Sequence, residues 1–208
     1  MKFLFAFQSF LIGLSVTLLV ALPVSSLFLD IGFAVKGYLF LTSFVAVSLV
    51  MLVRPLADIF SGQLWLRRLI FLRKGFGIFS ASIIVGFMFS AIIAPESVYL
   101  ASLFTAEFYS FDKYRFLAHI GDISGFILLI TSNRFSQKLL GRNWKRIQKL
   151  SYVYFYAGGL YEAFALGNTL ALCMVFVITD VALLAWIAKV LRGYFVELEA
   201  MKKVEARV

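Results

Sequence analysis

The stretch GFGIFSASIIVGFMFSAIIA, residues 75–94, decides the fold of this chain, because it contains no charged residue. An α-helix needs about 20 consecutive apolar residues to cross a hydrocarbon core that is about 30 Å thick. Arg73 and Lys74 precede the stretch, and Pro95 follows it. This pattern predicts a membrane-spanning helix.

The composition of the whole chain agrees with that prediction. Its 208 residues are 62% hydrophobic and only 15% charged, and the mean hydropathy is +0.94. Soluble domains are about 45–50% apolar and about 25% charged. We therefore interpret the chain as an integral membrane protein in contact with lipid. Its single cysteine, Cys173, excludes a disulfide or a cysteine-based metal cluster within one chain.

Five further segments are long and apolar enough to be interpreted as spans. The six predicted spans cover residues 3–29, 37–53, 75–94, 116–132, 150–166 and 169–188. The first also resembles a signal peptide, through Lys2 and its ALPVSS tail, although its apolar run exceeds the roughly 7–15 residues of a signal-peptide core. The predicted fold is all-α, a single six-helix transmembrane domain with a charged tail at residues 189–208. The short, acidic segment 98–111 is interpreted as interfacial.

Loop charges predict the orientation of this bundle. Cations concentrate in the loops between the second and third spans and between the fourth and fifth spans. Because cytoplasmic loops carry an excess of Lys and Arg, we expect both termini in the cytoplasm. The net charge of +9 then needs no nucleic-acid partner. The basic loops would face lipid headgroups or dock an acidic partner protein.

The start of the fifth predicted span carries a second pattern, LLGRNWKRIQKLSYVYF at residues 139–155. It resembles the ferric-reductase-like transmembrane domain family, closest to the heme-binding membrane subunits of bacterial periplasmic methionine-sulfoxide reductase systems. The positions that agree are Leu140, Gly141, Trp144, Ile147, Leu150 and Tyr152. Three other stretches resemble segments of the family in the same order: VRPLADIF at 53–60, FLRKGFGIFSASIIVGF at 71–87 and LLITSN at 128–133.

The resemblance implies a bundle in a bacterial inner membrane that holds b-type heme between histidines of the third and fifth helices. The matching positions in this chain are Phe87, Gln148 and Tyr161, and none is histidine. Heme iron is held by His, Cys thiolate, Met or Tyr, so we expect no heme and no other cofactor. Phe87 and Tyr161 would then fill part of the vacated volume. Heme ligation by Tyr161, or by the single histidine His119, remains the alternative.

Three carboxyl groups and the single histidine lie inside the predicted spans, namely Asp122, Glu162, Asp180 and His119. A charge at the centre of a span costs about 2.5–3.5 kcal/mol on insertion scales, so each of them requires an explanation. His119 and Asp122 are three residues apart and share a helix face. This polar set predicts hydrogen bonds between helices, acids that stay protonated in a dry interior, or a site that relays protons or holds an ion or small ligand.

Three functions are compatible with these patterns. The first is a heme-free, non-catalytic membrane subunit or scaffold with a cytoplasmic or periplasmic partner protein. The second is an electron-transfer subunit of an oxidoreductase that uses heme or quinone, and the third is conduction of protons or a small ion through the carboxylates. No GxGxxG stretch, the pattern that binds dinucleotides, occurs in the sequence. With one His and one Cys, we expect no Ser/His/Asp or Cys/His catalytic arrangement.

Overall fold

The computed structural model describes residues 2–28, 32–93, 99–102, 104–105 and 114–205, and this part of the chain is helical apart from short turns, with no strand. The helices are α1 (Lys2–Ser26), α2 (Phe33–Ile59), α3 (Leu64–Leu69), α4 (Arg73–Ile93), α5 (Tyr99–Ser102), α6 (Arg115–Thr131), α7 (Arg134–Leu140), α8 (Trp144–Ile147), α9 (Leu150–Phe164) and α10 (Thr169–Glu205). The all-α prediction is confirmed. Most of the segment predicted as interfacial lies outside the described residues, and α5 is the helical part of it that is described.

Four segments of the described chain are long and apolar enough to cross a membrane: Lys2–Ser26, Ala34–Ile59, Leu64–Ile93 and Thr169–Phe195. A fifth candidate joins Phe116–Thr131 to Arg134–Ile147, and its two parts are bent by 93°. α9 has 15 residues and is about 22 Å long at the usual helical rise, which is shorter than the roughly 30 Å hydrocarbon core. The count of six spans therefore stays a prediction.

Two helices extend beyond the spans predicted from the sequence. The second span was predicted to close before Arg54 and Pro55, but α2 continues through Pro55 to Ile59. α10 continues past residue 188 into the charged tail and ends at Glu205. The end of an apolar run marks where lipid contact stops, whereas residues of high helix propensity such as Leu, Glu and Lys prolong the helix itself.

A ring of four helices surrounds the centre of the bundle. α2 packs against α4, α4 against α6, α6 against α9, and α9 against α2. α1 lies outside the ring on α4, and α10 lies outside it on α2 and α9. The apolar core includes Phe44 and Phe155, whose rings stack with their centroids 5.5 Å apart. This core joins α2 and α9 to α6 and α10, since it also contains Leu128, Ala171, Val175 and Ile178.

Two glycines let outer helices approach the ring closely. A Cβ atom at Gly159 of α9 would lie 2.5 Å from Cγ2 of Val175 on α10 and 2.8 Å from Cε2 of Phe44. A Cβ atom at Gly86 of α4 would lie 2.9 Å from Cδ1 of Leu22 on α1. Small residues at helix contacts are common in membrane bundles, because they allow backbones to come close together.

The cationic loops gather at one end of the bundle, which we call the basic end. Its cations are Arg54, Arg67, Arg68, Arg73, Lys74, Arg134, Lys138, Arg142, Lys145, Arg146 and Lys149. α2 ends there and α4 begins there, and Nε of Arg73 donates a hydrogen bond to the Val50 carbonyl (2.9 Å). α9 begins at the same end, because Tyr154 in its first turns is hydrogen-bonded to Ser80 in the first turns of α4 (2.9 Å).

α1 and α10 also reach the basic end. The ring of Phe5, near the start of α1, lies 4.6 Å from the ring of Phe71, just before α4. Arg192 of α10 donates hydrogen bonds through Nη2 to the carbonyls of Asp58 and Ile59 at the end of α2, both at 2.8 Å. Lys2 and Arg192 thus lie on the side of the bundle that carries the cationic loops, as the loop charges lead one to expect.

Candidate functional site

A cavity of about 240 Å³ lies inside the ring of four helices. Each ring helix contributes side chains to its wall, and Tyr99 of α5 completes the wall. Most of the lining comes from the first half of α2 and α6 and from the second half of α4 and α9. The cavity therefore occupies the half of the bundle opposite the basic end, which we call the far half.

Aromatic rings form much of the cavity wall. They belong to Phe40, Phe44, Phe87, Tyr99, Tyr154 and Tyr161. The rings of Phe40 on α2 and Phe87 on α4 stack against each other with their centroids 4.8 Å apart. These stacked rings fix one side of the cavity and bring α2 and α4 together in the far half.

Two glycines keep the opposite side open, where α6 crosses α9. A Cβ atom at Gly121 of α6 would lie 4.0 Å from the backbone nitrogen of Gly158 on α9. A Cβ atom at Gly158 would meet no atom within 4 Å. Since both residues line the cavity, part of its volume exists because these positions carry no side chain.

Two carboxylates face this cavity from neighbouring helices. Asp122 of α6 accepts a hydrogen bond from the Tyr99 hydroxyl at 3.3 Å, and Glu162 of α9, only 5% exposed, accepts one from Nδ2 of Asn168 at 3.4 Å. Burial and the neighbouring Asp122 raise the pKa of the Tyr99 hydroxyl above its ordinary value, so this group remains a donor at neutral pH. Within the described part of the chain, neither carboxylate is paired with a cation.

A cluster of three buried hydroxyl groups lies at the floor of the cavity, on the side of the basic end. The Ser43 and Ser80 oxygens are 2.9 Å apart, and the Tyr154 hydroxyl lies 3.2 Å from the first and 2.9 Å from the second. The Ser43 hydroxyl is also within 3.0 Å of the Ser80 carbonyl. The cluster joins α2, α4 and α9, and it satisfies polar groups that burial would otherwise leave without partners.

Sequence reasoning did not select these three residues. Each lies in an apolar helix, where a single Ser or Tyr is common, and they are separated by 37 to 111 positions along the chain. The only local signal is that a hydroxyl buried in a spanning helix needs a partner. That signal does not say which other helix provides the partner.

The structure brings together two of the three positions that match the heme ligands of the resembling family. Phe87 and Tyr161 both line the cavity. Gln148 does not, since it lies before α9 at the basic end, where its Nε2 donates to Oγ1 of Thr131 at 3.3 Å. These two aromatic side chains form part of the cavity wall and leave open volume beside them.

The four ionisable residues selected from the sequence do not form one cluster. Asp122 and Glu162 line the cavity, while the His119 ring lies beside Tyr99, with the centroids 6.1 Å apart, and is not part of the lining. Asp180 is exposed on α10, which packs outside the ring. Among the described residues, no group of three His, Cys, Asp or Glu side chains is arranged to hold a metal ion.

No known protein family matches the chain. No curated protein and no solved structure matches it either. The likeness to the ferric-reductase-like family therefore rests on the sequence stretches quoted above, and its implications for function are proposals.

Proposed function

We propose that this chain is a heme-free, six-span membrane bundle of the ferric-reductase-like type that serves as a non-catalytic membrane subunit or scaffold. The observation that carries this proposal is the character of the residues at the positions that match the family's heme ligands. These positions hold a phenylalanine, a glutamine and a tyrosine. The phenylalanine ring stacks on another ring, and the glutamine donates a hydrogen bond to a threonine.

These residues do not fit a heme held by two histidines. The Phe87 ring has no atom that coordinates iron, and it is stacked on Phe40. Gln148 is hydrogen-bonded to Thr131 at the basic end and does not line the cavity. Tyr161 is the only one of the three positions that combines a place in the cavity wall with a side chain known to bind ferric heme.

The charge distribution supports the proposed placement in a membrane. The cationic loops gather at one end, as expected for the cytoplasmic side under the positive-inside rule. This end would lie against anionic lipid headgroups or against an acidic face of a cytoplasmic partner. Both chain termini would then be cytoplasmic, in a bacterial inner membrane.

An absorption spectrum of the purified protein tests the absence of heme. We expect a colourless, helical preparation without a Soret band, and a pyridine hemochrome assay without stoichiometric heme. A reducible Soret band at one heme per chain would overturn the proposal and favour the electron-transfer subunit. The variants Tyr161→Phe and His119→Ala would then identify the ligand, since only the variant that removes it would lose the band.

A second candidate, conduction of protons or a small ion, is favoured by one specific observation. Asp122 and Glu162 line the same cavity, and the hydroxyl cluster of Tyr154 and two serines continues from it toward the basic end. In liposomes with an internal dye that responds to pH or to the ion tested, conduction predicts a flux that Glu162→Gln abolishes and that Asp180→Asn leaves intact. The absence of flux from the unmodified protein would remove this candidate.

A further inference from the structure

We propose that the central cavity binds a small organic cation, namely a protonated or quaternary amine that carries an apolar or aromatic group. This inference goes beyond a scaffold function and rests on the proposed function in one respect, because heme must not occupy the cavity. Three features of the wall carry it: its charge, its aromatic surface and its size.

The charge of the lining favours a cation. Asp122 and Glu162 contribute two carboxyl groups, and no Lys or Arg of the described chain lines the cavity. Their hydrogen-bond donors are the neutral groups of Tyr99 and Asn168. A buried carboxylate that lacks a cationic partner is costly, so a ligand that brings a positive charge between α6 and α9 supplies a partner that the described part of the chain does not.

The aromatic surface favours a cation with an apolar body over a hydrated metal ion. Six aromatic residues of the described chain line the cavity, and the face of an aromatic ring attracts an ammonium group that lies within about 6 Å of its centroid. Quaternary and methylated ammonium groups are typically recognised by cages of such rings. A small metal ion would instead need several oxygen ligands arranged around it, and the described residues offer no group of three acidic, His or Cys side chains for this purpose.

The size of the cavity limits the ligand. Its volume of about 240 Å³ is below the roughly 300–1,000 Å³ of pockets for drug-sized molecules. The volume therefore selects a single ring or a short alkyl chain next to the ammonium group. The position of the cavity in the far half places this ligand away from the basic end, whose cations would repel it.

Binding of benzyltrimethylammonium to the purified protein in detergent tests this inference. The matched control is neopentylbenzene, which has nearly the same shape but a carbon atom in place of the cationic nitrogen. We expect the cation to bind saturably, by isothermal titration or by quenching of intrinsic fluorescence, and the neutral compound to bind at least about tenfold more weakly, since removing one partner of a desolvated charge pair is costly. Equal affinity for both compounds would refute the charge argument.

Three variants and one control variant locate the binding site. Asp122→Asn and Glu162→Gln should each weaken binding of the cation at least about tenfold, while Asp180→Asn, which alters an exposed carboxyl outside the ring, should leave it unchanged. Gly158→Leu should block the cavity, because Gly158 lines it and a Cβ atom there would meet no other atom within 4 Å. Circular dichroism confirms that each variant is folded, and the two carboxyl variants decide the question if Gly158→Leu does not fold.

The outcomes separate this inference from the proposed function. A colourless, folded protein that binds no cation refutes the inference and leaves the heme-free scaffold in place. The inference is also refuted if the cation binds equally strongly to Asp122→Asn, Glu162→Gln and Asp180→Asn, because the cation then binds elsewhere. A preparation with stoichiometric heme overturns both proposals together.

Discussion

Replacing Gly159 with alanine should destabilise the bundle, whereas the same change at the adjacent Gly158 should not. The new Cβ atom at position 159 would lie 2.5 Å from Cγ2 of Val175 and 2.8 Å from Cε2 of Phe44. Neither neighbour can move easily, because Val175 is branched at Cβ and the buried Phe44 ring is stacked on Phe155. At position 158 the new atom would meet nothing within 4 Å.

The two substitutions differ only in packing, so the difference between their free energies of unfolding can be estimated. Each exchanges glycine for alanine within α9 and gains about 0.8–1.0 kcal/mol of helix propensity. Overpacking of a close contact costs about 1–3 kcal/mol, and only Gly159→Ala incurs this cost. The free energy of unfolding of Gly159→Ala should therefore be lower than that of Gly158→Ala by about 1–3 kcal/mol.

Reversible unfolding by sodium dodecyl sulfate in mixed micelles, followed by circular dichroism, measures this difference. A double variant, Gly159→Ala with Val175→Ala, should be less destabilised than the sum of its single changes, because the second change removes the nearest of the clashing atoms. Equal stability of Gly158→Ala and Gly159→Ala would show that α9 does not approach α2 and α10 as closely as described.

Three further predictions concern the hydroxyl cluster, the Trp144 hydrogen bond and the topology in the membrane. Tyr154→Phe removes one member of the hydroxyl cluster and should lower the free energy of unfolding by about 0.6–1.7 kcal/mol; an unchanged unfolding curve would contradict the interhelical bonds. Trp144→Phe removes the hydrogen bond from the indole Nε1 to a carbonyl of α6 (2.9 Å) and should lower stability by about 0.5–1.5 kcal/mol, with no change being the contrary result. The third prediction concerns the proposed topology and uses single-cysteine variants in a Cys173→Ala background. An impermeant maleimide should label Leu166→Cys in cells whose outer membrane is permeabilised, and it should label Ser61→Cys only after lysis. The reverse pattern would invert the proposed topology.

Helix limits set by charges were predictable from the sequence to within a few residues. The predicted segment 75–94 corresponds to Arg73–Ile93, and 150–166 corresponds to Leu150–Phe164. This agreement has a physical reason, since an apolar run flanked by cations or by a proline leaves a helix few alternative limits. The prediction failed for the end of α2, because Pro55 lies inside the helix and does not end it.

The candidate site was predictable only in part. Asp122 and Glu162 stood out because a carboxyl group in an apolar span is costly wherever it lies, and both line the cavity. The same argument selected Asp180, which the structure places on the exposed surface of α10. The sequence shows the cost of a carboxyl group but not the direction in which it faces, since that direction depends on how the helices rotate against one another.

The unbroken length of α10 has a consequence for anything attached to its end. Its 37 residues form a rod about 55 Å long at 1.5 Å per residue, which exceeds the roughly 30 Å thickness of the hydrocarbon core. The last ten residues, 196–205, follow the apolar segment Thr169–Phe195 and add about 15 Å of helix. A fluorophore attached there would be held by a rigid helix and not by a flexible linker, so its angle to the bilayer would report the tilt of the whole helix.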